Sequence, residues 1–220
     1  MHKWYVFKEF HEASHAAADH IANLIAITLI DKNICHIVLP GGETPKTCLQ
    51  HLAEKNIRWE KCHWYLGDER CYEKNHPERN DIMLQRNFWT HIGHTNIHII
   101  PAELGAEQGA SVYRTIIDAT DCIDIAFLGM GEDGHTASLF PGNQALKDER
   151  SVVPVFEAPK PPAERVSLGM QTLRKARHRV VLACGSGKAE IIKSIKSGEQ
   201  LPVNCLGDID WFVNESAHSL

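Results

Sequence analysis

The sequence contains no long uninterrupted hydrophobic run. Its best candidate, residues 21–30, is broken by Asn23 and Thr28, and a membrane-spanning helix needs about 18 or more apolar residues. The first residues also lack the apolar segment and the small-residue cleavage site of a secretory signal. We therefore expect a cytoplasmic protein with no membrane partner.

Basic residues are not in surplus either. Lys and Arg number 23 against 28 for Asp and Glu, which gives a formal net charge of −5. Nucleic acids and anionic lipids are attracted by a positive field that this composition does not supply. We expect no nucleic-acid partner, and any anionic ligand must be bound by a local site.

The seven cysteines form no paired motif. They are scattered singly, with no C-x-x-C spacing, and their odd number argues against a disulfide framework or a cysteine-rich zinc site. Cys35, Cys62 and Cys184 lie in or beside apolar runs, where free cysteine is ordinarily buried and inert.

Apolar runs alternate with amphipathic stretches along the whole chain, and no linker or repeat divides it. We therefore expect one α/β domain over residues 1–220. The predicted strands are 35–39, 62–66, 97–100, 123–128, 152–156, 165–168 and 180–184; the predicted helices are 10–29, 44–55, 81–91, 106–120, 171–177 and 188–197, with a last helical turn near 209–217. This alternation predicts a mainly parallel sheet with helices on both faces, whose ligands bind beyond the carboxyl ends of the strands.

Four turns that follow apolar runs have unusual chemistry. They are Pro40-Gly41-Gly42-Glu43-Thr44-Pro45, Gly67-Asp68-Glu69-Arg70, Gly129-Met130-Gly131-Glu132-Asp133-Gly134-His135 and Gly185-Ser186-Gly187-Lys188. Since the carboxyl ends of parallel strands meet at one edge of a sheet, we expect all four turns to open on that edge.

The first turn is suited to an anion. Gly41 and Gly42 let the backbone approach a ligand closely, and Thr44 and Pro45 suit the start of a helix whose free amides point outward. A tight turn that binds nothing explains the same residues.

The last turn repeats this design and adds Lys188, which can neutralise a phosphate. It is not a Walker A motif, because Leu182 stands where that motif has its first glycine and Ala189 follows the lysine. A sugar phosphate or another monophosphate fits better than a nucleoside triphosphate.

The third turn formally matches the G-x-G-x-x-G pattern of dinucleotide-binding folds. Pro141, however, interrupts any following helix within seven residues of Gly134. The turn instead delivers His135 at the end of a strand, where a neutral imidazole can act as a general base. His135 is therefore our candidate base.

A rival motif lies near the N-terminus, where His11, Glu12 and His15 form a literal H-E-x-x-H. In zinc peptidases this pattern supplies two metal ligands and a base. His20 is one position short of a third metzincin ligand, and Ala18 replaces the required glycine. We interpret the segment as the solvated face of an alanine-rich helix.

The second turn places two carboxylates and a guanidinium after a strand. Asp68, Glu69 and Arg70 suit hydrogen bonds to hydroxyl groups and contact with an anion, or they form an internal salt bridge. Arg165, from another strand, is either a second phosphate ligand or the partner of an acid.

A further segment is Pro161-Pro162-Ala163-Glu164-Arg165-Val166-Ser167-Leu168. Together with the four turns, it makes the sequence resemble the glucosamine-6-phosphate isomerase/6-phosphogluconolactonase family over nearly the whole chain. Within that family, the resemblance is to the lactonases. The resemblance implies a three-layer αβα, Rossmann-like fold similar to that of glucosamine-6-phosphate deaminase. It also implies hydrolysis of 6-phosphoglucono-δ-lactone to 6-phosphogluconate in the oxidative pentose phosphate pathway, with no metal or organic cofactor.

The resemblance also assigns roles to single residues. It implies that His135 activates water, that Arg165 and Lys188 hold the phosphate with the Gly41, Gly42 and Thr44 amides, and that Asp68 and Arg70 line the sugar side, with Asn80 and Gly131 as further substrate contacts.

The chain departs from the family pattern at two positions. Arg79 replaces a serine before Asn80, which puts a serine-mediated hydrogen bond in doubt. Asn214 replaces a common aspartate, and we expect that change to affect only the terminal helix.

Two other functions stay open. A glucosamine-6-phosphate deaminase is similar in its phosphate and histidine loops, but it has Asn-Glu-Pro where this chain has Leu139-Phe140-Pro141, and Asp-Glu-Tyr where it has Asp68-Glu69-Arg70. The other is a sugar-phosphate sensor without catalysis, against which an intact His135 argues. We expect a monomer, because no amphipathic stripe is left unassigned.

Overall fold

The fold, seen in a computed structural model that describes residues 2–93 and 96–219, is built on a seven-stranded parallel sheet. Its strands are β1 (Lys3–Phe7), β2 (Cys35–Leu39), β3 (Cys62–Leu66), β5 (Ile97–His98), β6 (Ile125–Gly129), β9 (His178–Ala183) and β10 (Asp210–Asn214), in the spatial order β1-β10-β9-β6-β2-β3-β5. The strand order reverses between β2 and β6, the kind of position where open α/β sheets bind ligands.

A second, antiparallel sheet holds the other three strands of the described residues. These are β4 (Asp68–Arg70), β7 (Val152–Val155) and β8 (Arg165–Leu168), in the order β4-β8-β7. Arg70 and Arg165 are register partners across β4 and β8. The backbone amide of Leu168 donates to the carbonyl of Gly67, which fixes this small sheet to the end of β3.

Helices flank the main sheet. They are α1 (Phe10–Lys32), α2 (Thr44–Ala53), α3 (Asn80–Leu84), α4 (Thr90–Ile92), α5 (Ala106–Asp118), α6 (Met170–Lys175), α7 (Ala189–Lys196) and α8 (Glu215–His218). A π-helical turn, Gln85–Trp89, joins α3 to α4. In the part of the chain that the structure describes, no helix combines the length and apolarity needed to cross a bilayer.

The core lies between the main sheet and its helices. The middle strands are buried on both faces, as parallel strands covered by helices must be, and Phe127 and Val180 have no exposed surface. Helix α1 packs against β1, β2, β6, β9 and β10. From α5, the Tyr113 hydroxyl donates to the carbonyl of Leu66 and accepts from its amide, which holds the end of β3 in place.

The predicted mainly parallel sheet is confirmed, and each predicted strand is present with small shifts in its ends. The predicted helical turn near 209–217 is wrong for most of its length. Residues Asp210–Asn214 form a strand between β1 and β9, because Trp211, Phe212 and Val213 are buried together there. Only Glu215–His218 is helical.

Besides β10, two strands were not predicted, and two of the predicted strands join a different sheet. Strand β1 is a half-exposed edge strand, and β4 occupies a segment that reads as a turn. Strands β7 and β8 pair antiparallel with each other outside the main sheet. Antiparallel pairing of short, fully buried strands leaves no alternating pattern that would separate them from the parallel set.

Candidate functional site

An open cleft of about 190 Å³ lies at the carboxyl ends of β2, β6 and β9. The four glycine-rich turns meet there, as the sequence predicted. The residues that the family resemblance assigns to the site all line this cleft: Gly41, Gly42, Thr44, Asp68, Arg70, Asn80, Gly131, His135, Arg165 and Lys188.

His135 is oriented by Asp133. The Nδ1 atom of His135 lies 2.5 Å from Oδ1 of Asp133, which also accepts the backbone amide of His135 at 3.1 Å. Burial alone would raise the pKa of Asp133, but these two hydrogen bonds and the charge of His135 lower it. An ionised carboxylate only accepts hydrogen bonds, so in the neutral imidazole of His135 it is Nδ1 that carries the proton and Nε2 that has the lone pair.

The turn before His135 has no room for a side chain at Gly131. A Cβ there would lie 2.0 Å from Nδ1 of His135, so glycine is required for the imidazole to occupy its place. The amide of Gly131 donates to the carbonyl of His135 at 2.9 Å. Gly131 therefore shapes the cleft, and its N–H is already engaged within the turn.

The turn after β2 packs tightly against Asn80. A Cβ at Gly41 would lie 1.9 Å from Oδ1 of Asn80, so only glycine fits between β2 and this side chain. Thr44 begins α2 with Pro45 directly after it, and the first amides of a helix have no partners within it. Those amides and the helix dipole favour an anion at this end of the cleft.

Two cations face this anion position. Arg165 is 6% exposed; its Nε and Nη2 donate to the carbonyls of residues 160–162, which leaves Nη1 without a partner among the described residues. Lys188 is half-buried in the turn before α7. Burial lowers the pKa of both groups, as expected for cations held partly out of water.

The segment Asp68-Glu69-Arg70 divides into two roles. Asp68 faces the cleft, where its carboxylate accepts from Nδ2 of Asn80 at 3.2 Å and from Oγ of Ser138 at 2.5 Å. Glu69 points away and has no exposed surface. It does not line the cleft, so of the two carboxylates in this segment only Asp68 is placed to contact a ligand there.

Glu69 instead ties together the backbone that carries two cleft residues. Its carboxylate accepts the amides of Arg70, Asn80 and Asp81, each at 2.8 Å. Burial, with a smaller contribution from the charge of Asp81, raises its pKa to about 7 despite these hydrogen bonds.

The two departures from the family pattern have structural roles. Arg79 is buried beneath the cleft wall, paired with Asp81 at 2.8 Å and Glu103 at 3.2 Å. The side chain of Asn214, at the end of β10, accepts the amide of Gly185 at 2.9 Å. Asn214 therefore supports the turn that carries Lys188, and the expectation that it affects only the terminal helix is wrong.

The H-E-x-x-H segment is engaged in helix structure. Glu12 accepts the backbone amides of Lys8 and Glu9 at the start of α1, each at 3.1 Å, and the ring of His15 stacks on His51. Within residues 2–93 and 96–219, no three His, Cys, Asp or Glu side chains are grouped to hold a metal ion.

The sequence did not single out Asp133 or Ser138. Asp133 stands two residues before His135, the spacing of a turn in which an aspartate side chain bonds the backbone two positions on, so a signal was present. Ser138 had none, because its contact with Asp68 depends on how a distant loop folds.

The comparisons with known proteins identify the family of this chain. Residues 8–211 match the model of the family described as glucosamine-6-phosphate isomerases/6-phosphogluconolactonase. A 6-phosphogluconolactonase of Aggregatibacter actinomycetemcomitans is 32% identical, over 96% of this chain and 97% of its own length. The crystal structure of a 6-phosphogluconolactonase from Thermotoga maritima superposes with a TM-score of 0.90 at 26% identity, over 97% of this chain and 100% of that chain.

Other relatives share the fold of this chain or are longer than it. A monomeric glucosamine-6-phosphate deaminase shares the fold, with a TM-score of 0.87 at 22% identity over 99% of each chain, which confirms the fold expected from the resemblance. The chain spans 64% of the length of a chloroplastic 6-phosphogluconolactonase of Arabidopsis thaliana and 26% of a rabbit bifunctional protein. On the family match and the identity to full-length relatives, this chain belongs to the glucosamine-6-phosphate isomerase/6-phosphogluconolactonase family.

Proposed function

We propose that this protein hydrolyses 6-phosphoglucono-δ-lactone to 6-phosphogluconate, the second step of the oxidative pentose phosphate pathway, without a metal or organic cofactor. The observation that carries this proposal is the pair of His135 and Asp133 in a cleft that also holds Arg165, Lys188 and the start of α2. The relatives named as 6-phosphogluconolactonases support it.

In the proposed reaction, Nε2 of His135 takes a proton from a water molecule that attacks the lactone carbonyl, C1 of the sugar. The resulting tetrahedral intermediate collapses by breaking the bond between C1 and the ring oxygen, and the imidazolium returns its proton to that oxygen. The ionised Asp133 stabilises the imidazolium between these two steps. A lactone is an activated ester, so proton transfer by His135 and correct positioning of the substrate account for most of the required catalysis.

The phosphate group positions the substrate relative to His135. We assign it to the Gly41, Gly42 and Thr44 amides together with Arg165 and Lys188. A phosphate held at this end fixes the distance between C1 and the imidazole, which makes the attack of water effectively intramolecular.

The sugar lies against the opposite wall in this proposal. We assign its hydroxyl groups to Asp68 and Asn80, and its anionic or carbonyl oxygens to Arg70. The Gly131 amide is already bonded within its own turn, so Gly131 contributes shape to the cleft and no hydrogen bond to the intermediate.

A specific contact disfavours the deaminase function. The ring of Phe140 packs on His135 with 4.5 Å between the ring centroids. Phe140 stands where the resemblance gives the deaminase a glutamate, so this chain offers no second carboxylate to its histidine at that position.

The test generates the lactone in place and follows 6-phosphogluconate formation above the spontaneous rate. We expect the wild-type protein to accelerate hydrolysis, His135→Ala to lose turnover while still binding phosphate, and His11→Ala to keep full activity as a histidine control from the exposed face of α1. Full activity of His135→Ala would contradict the mechanism. A wild-type protein that releases ammonia from glucosamine 6-phosphate, or that binds the sugar phosphate without turnover, would contradict the function.

The proposal includes a cytoplasmic, single-domain monomer that does not bind nucleic acid. The formal net charge of −5 supports the last point. Sedimentation of the full chain with and without DNA measures both the oligomeric state and nucleic-acid binding.

A further inference from the structure

A second cavity, of about 440 Å³, lies beside the cleft. The two share part of their walls: Gly42, Glu43, Arg70, Asn80 and Arg165 line both. We call the second one the outer cavity. Its remaining walls come from the start of α2, the segment 77–87 and the loop at residues 160–161, so three separate segments build it.

The outer cavity is strongly cationic. Among the residues that the structure describes, six basic side chains line it, against two acidic ones, Glu43 and Glu78. Some of the positive charge is neutralised locally: Lys46 pairs with Glu43 at 2.6 Å, and Arg79 pairs with carboxylates behind the wall.

Two cations that line the outer cavity and not the cleft, Arg86 and Lys160, are not neutralised. Among residues 2–93 and 96–219, no carboxylate lies within 4.0 Å of the charged nitrogens of Arg86 or Lys160. Both side chains are exposed, so their charges face the solvent from which a ligand arrives.

The charge of the outer cavity reaches the cleft. Burial is the main cause of the lowered pKa of Lys188, and the positive charge of Lys160 adds to it. An anion near Lys160 is therefore already within the field of the residue that we assign to the phosphate.

The positive charge of the outer cavity contrasts with the negative net charge of the whole chain. A phosphorylated sugar is an anion, and a protein of formal net charge −5 repels it on average. A cavity lined by one sign of charge concentrates the opposite charge locally and speeds its association.

The walls also indicate the class of ligand. No aromatic side chain is among the described residues that line the outer cavity, so it offers no surface on which a nucleotide base would stack. Cations without such a surface suit a phosphate carried on a sugar.

We propose that the outer cavity is a capture site for the phosphate group of the sugar lactone, from which the substrate passes along Arg70 and Arg165 into the cleft. The inference rests on the proposed function. Arg86 and Lys160 act by attraction before the substrate reaches His135, so they affect the association of substrate and not the chemical step.

The experiment compares two double variants that remove the same charge. Arg86→Ala/Lys160→Ala removes the cations of the outer cavity, and the backbone carbonyl of residue 160 still accepts from Arg165. Lys147→Ala/Lys193→Ala removes two exposed lysines that line neither cavity. Values of kcat and kcat/KM for lactone hydrolysis are measured at ionic strengths of about 10 mM and about 1 M, where the screening length falls from about 30 Å to about 3 Å.

We expect Arg86→Ala/Lys160→Ala to lower kcat/KM about three- to tenfold at the low ionic strength with kcat unchanged, and the difference to vanish at the high one. The control should stay within about twofold of the wild type. Equal losses in both double variants would overturn the proposal, as would a loss that persists at high ionic strength. A wild-type protein without lactonase activity at either ionic strength would refute the proposed function itself, a distinguishable result.

Discussion

Asp133 accepts a hydrogen bond from the ring of His135, with 2.5 Å between Oδ1 and Nδ1. The contact is made within one turn and needs no second element of the fold. The turn therefore delivers an oriented histidine, with its free nitrogen available to the cleft.

Asp133→Asn tests this relationship. An asparagine can donate to Nδ1 through its amide, which would favour the tautomer with its proton on Nε2 and remove the base. We expect kcat to fall about 10²- to 10³-fold with KM changed little, because the phosphate contacts remain. Steady-state kinetics of lactone hydrolysis measure both values, and a change confined to KM would show that Asp133 does not act through His135.

Lys188→Ala tests the phosphate assignment. Loss of one charge-assisted contact costs about 1.5–3 kcal/mol, or roughly ten- to a hundredfold in kcat/KM. We expect most of the change in KM. Lys193→Ala, which removes an exposed lysine from α7, is the control, and similar kinetics in the two variants would contradict the assignment.

Asn214 gives a test of the turn beneath Lys188. Asn214→Ala leaves the Gly185 amide without its acceptor, at a cost of about 0.5–1.5 kcal/mol, and we expect KM to rise several-fold as Lys188 loses its fixed position. Asn214→Asp keeps an acceptor oxygen and should retain the wild-type KM. Identical KM values in the alanine and aspartate variants would rule out this supporting role.

Glu69 makes the folding stability depend on pH. Its pKa in the folded protein, about 7, lies above the ordinary value of 4.5, so the folded state binds the proton more tightly than the unfolded chain. Its contribution is therefore fully present below about pH 4.5 and is lost as pH rises through about 7, a change on the order of 3 kcal/mol.

Glu69→Gln removes this titration. Urea unfolding between pH 4.5 and 8 should show a wild-type free energy of unfolding that falls with pH relative to the variant. Parallel curves over that range would show that Glu69 does not titrate there.

Much of the fold could be predicted from the sequence because strands and helices alternate with clear breaks between them. The exceptions have physical causes. In β10, Trp211-Phe212-Val213 is a short apolar run that reads as one helical turn until β1 and β9 are placed on either side of it. Strand β1 is half-exposed and short, so little hydrophobic pattern marks it.

For the site, the sequence predicted where single residues lie but not which side chains contact each other. Residues that follow buried strands, such as Gly41 and His135, could be placed at one edge because parallel strands end together. Contacts between side chains from distant segments could not be predicted from the sequence, because they depend on the path of each loop. The direction of Glu69 and the Ser138 contact with Asp68 belong to this second kind.

The small antiparallel sheet sets Arg70 directly opposite Arg165. Like charges at opposed positions of a strand pair repel, and the positive charge of Arg70 adds to burial in lowering the pKa of Arg165. In the proposed function, the substrate phosphate beside Arg165 relieves that repulsion, so the ligand would stabilise this sheet as well as bind to it. We therefore expect binding and folding to be linked, because an anion that binds only the native state multiplies the folding equilibrium constant by one plus its concentration divided by its Kd.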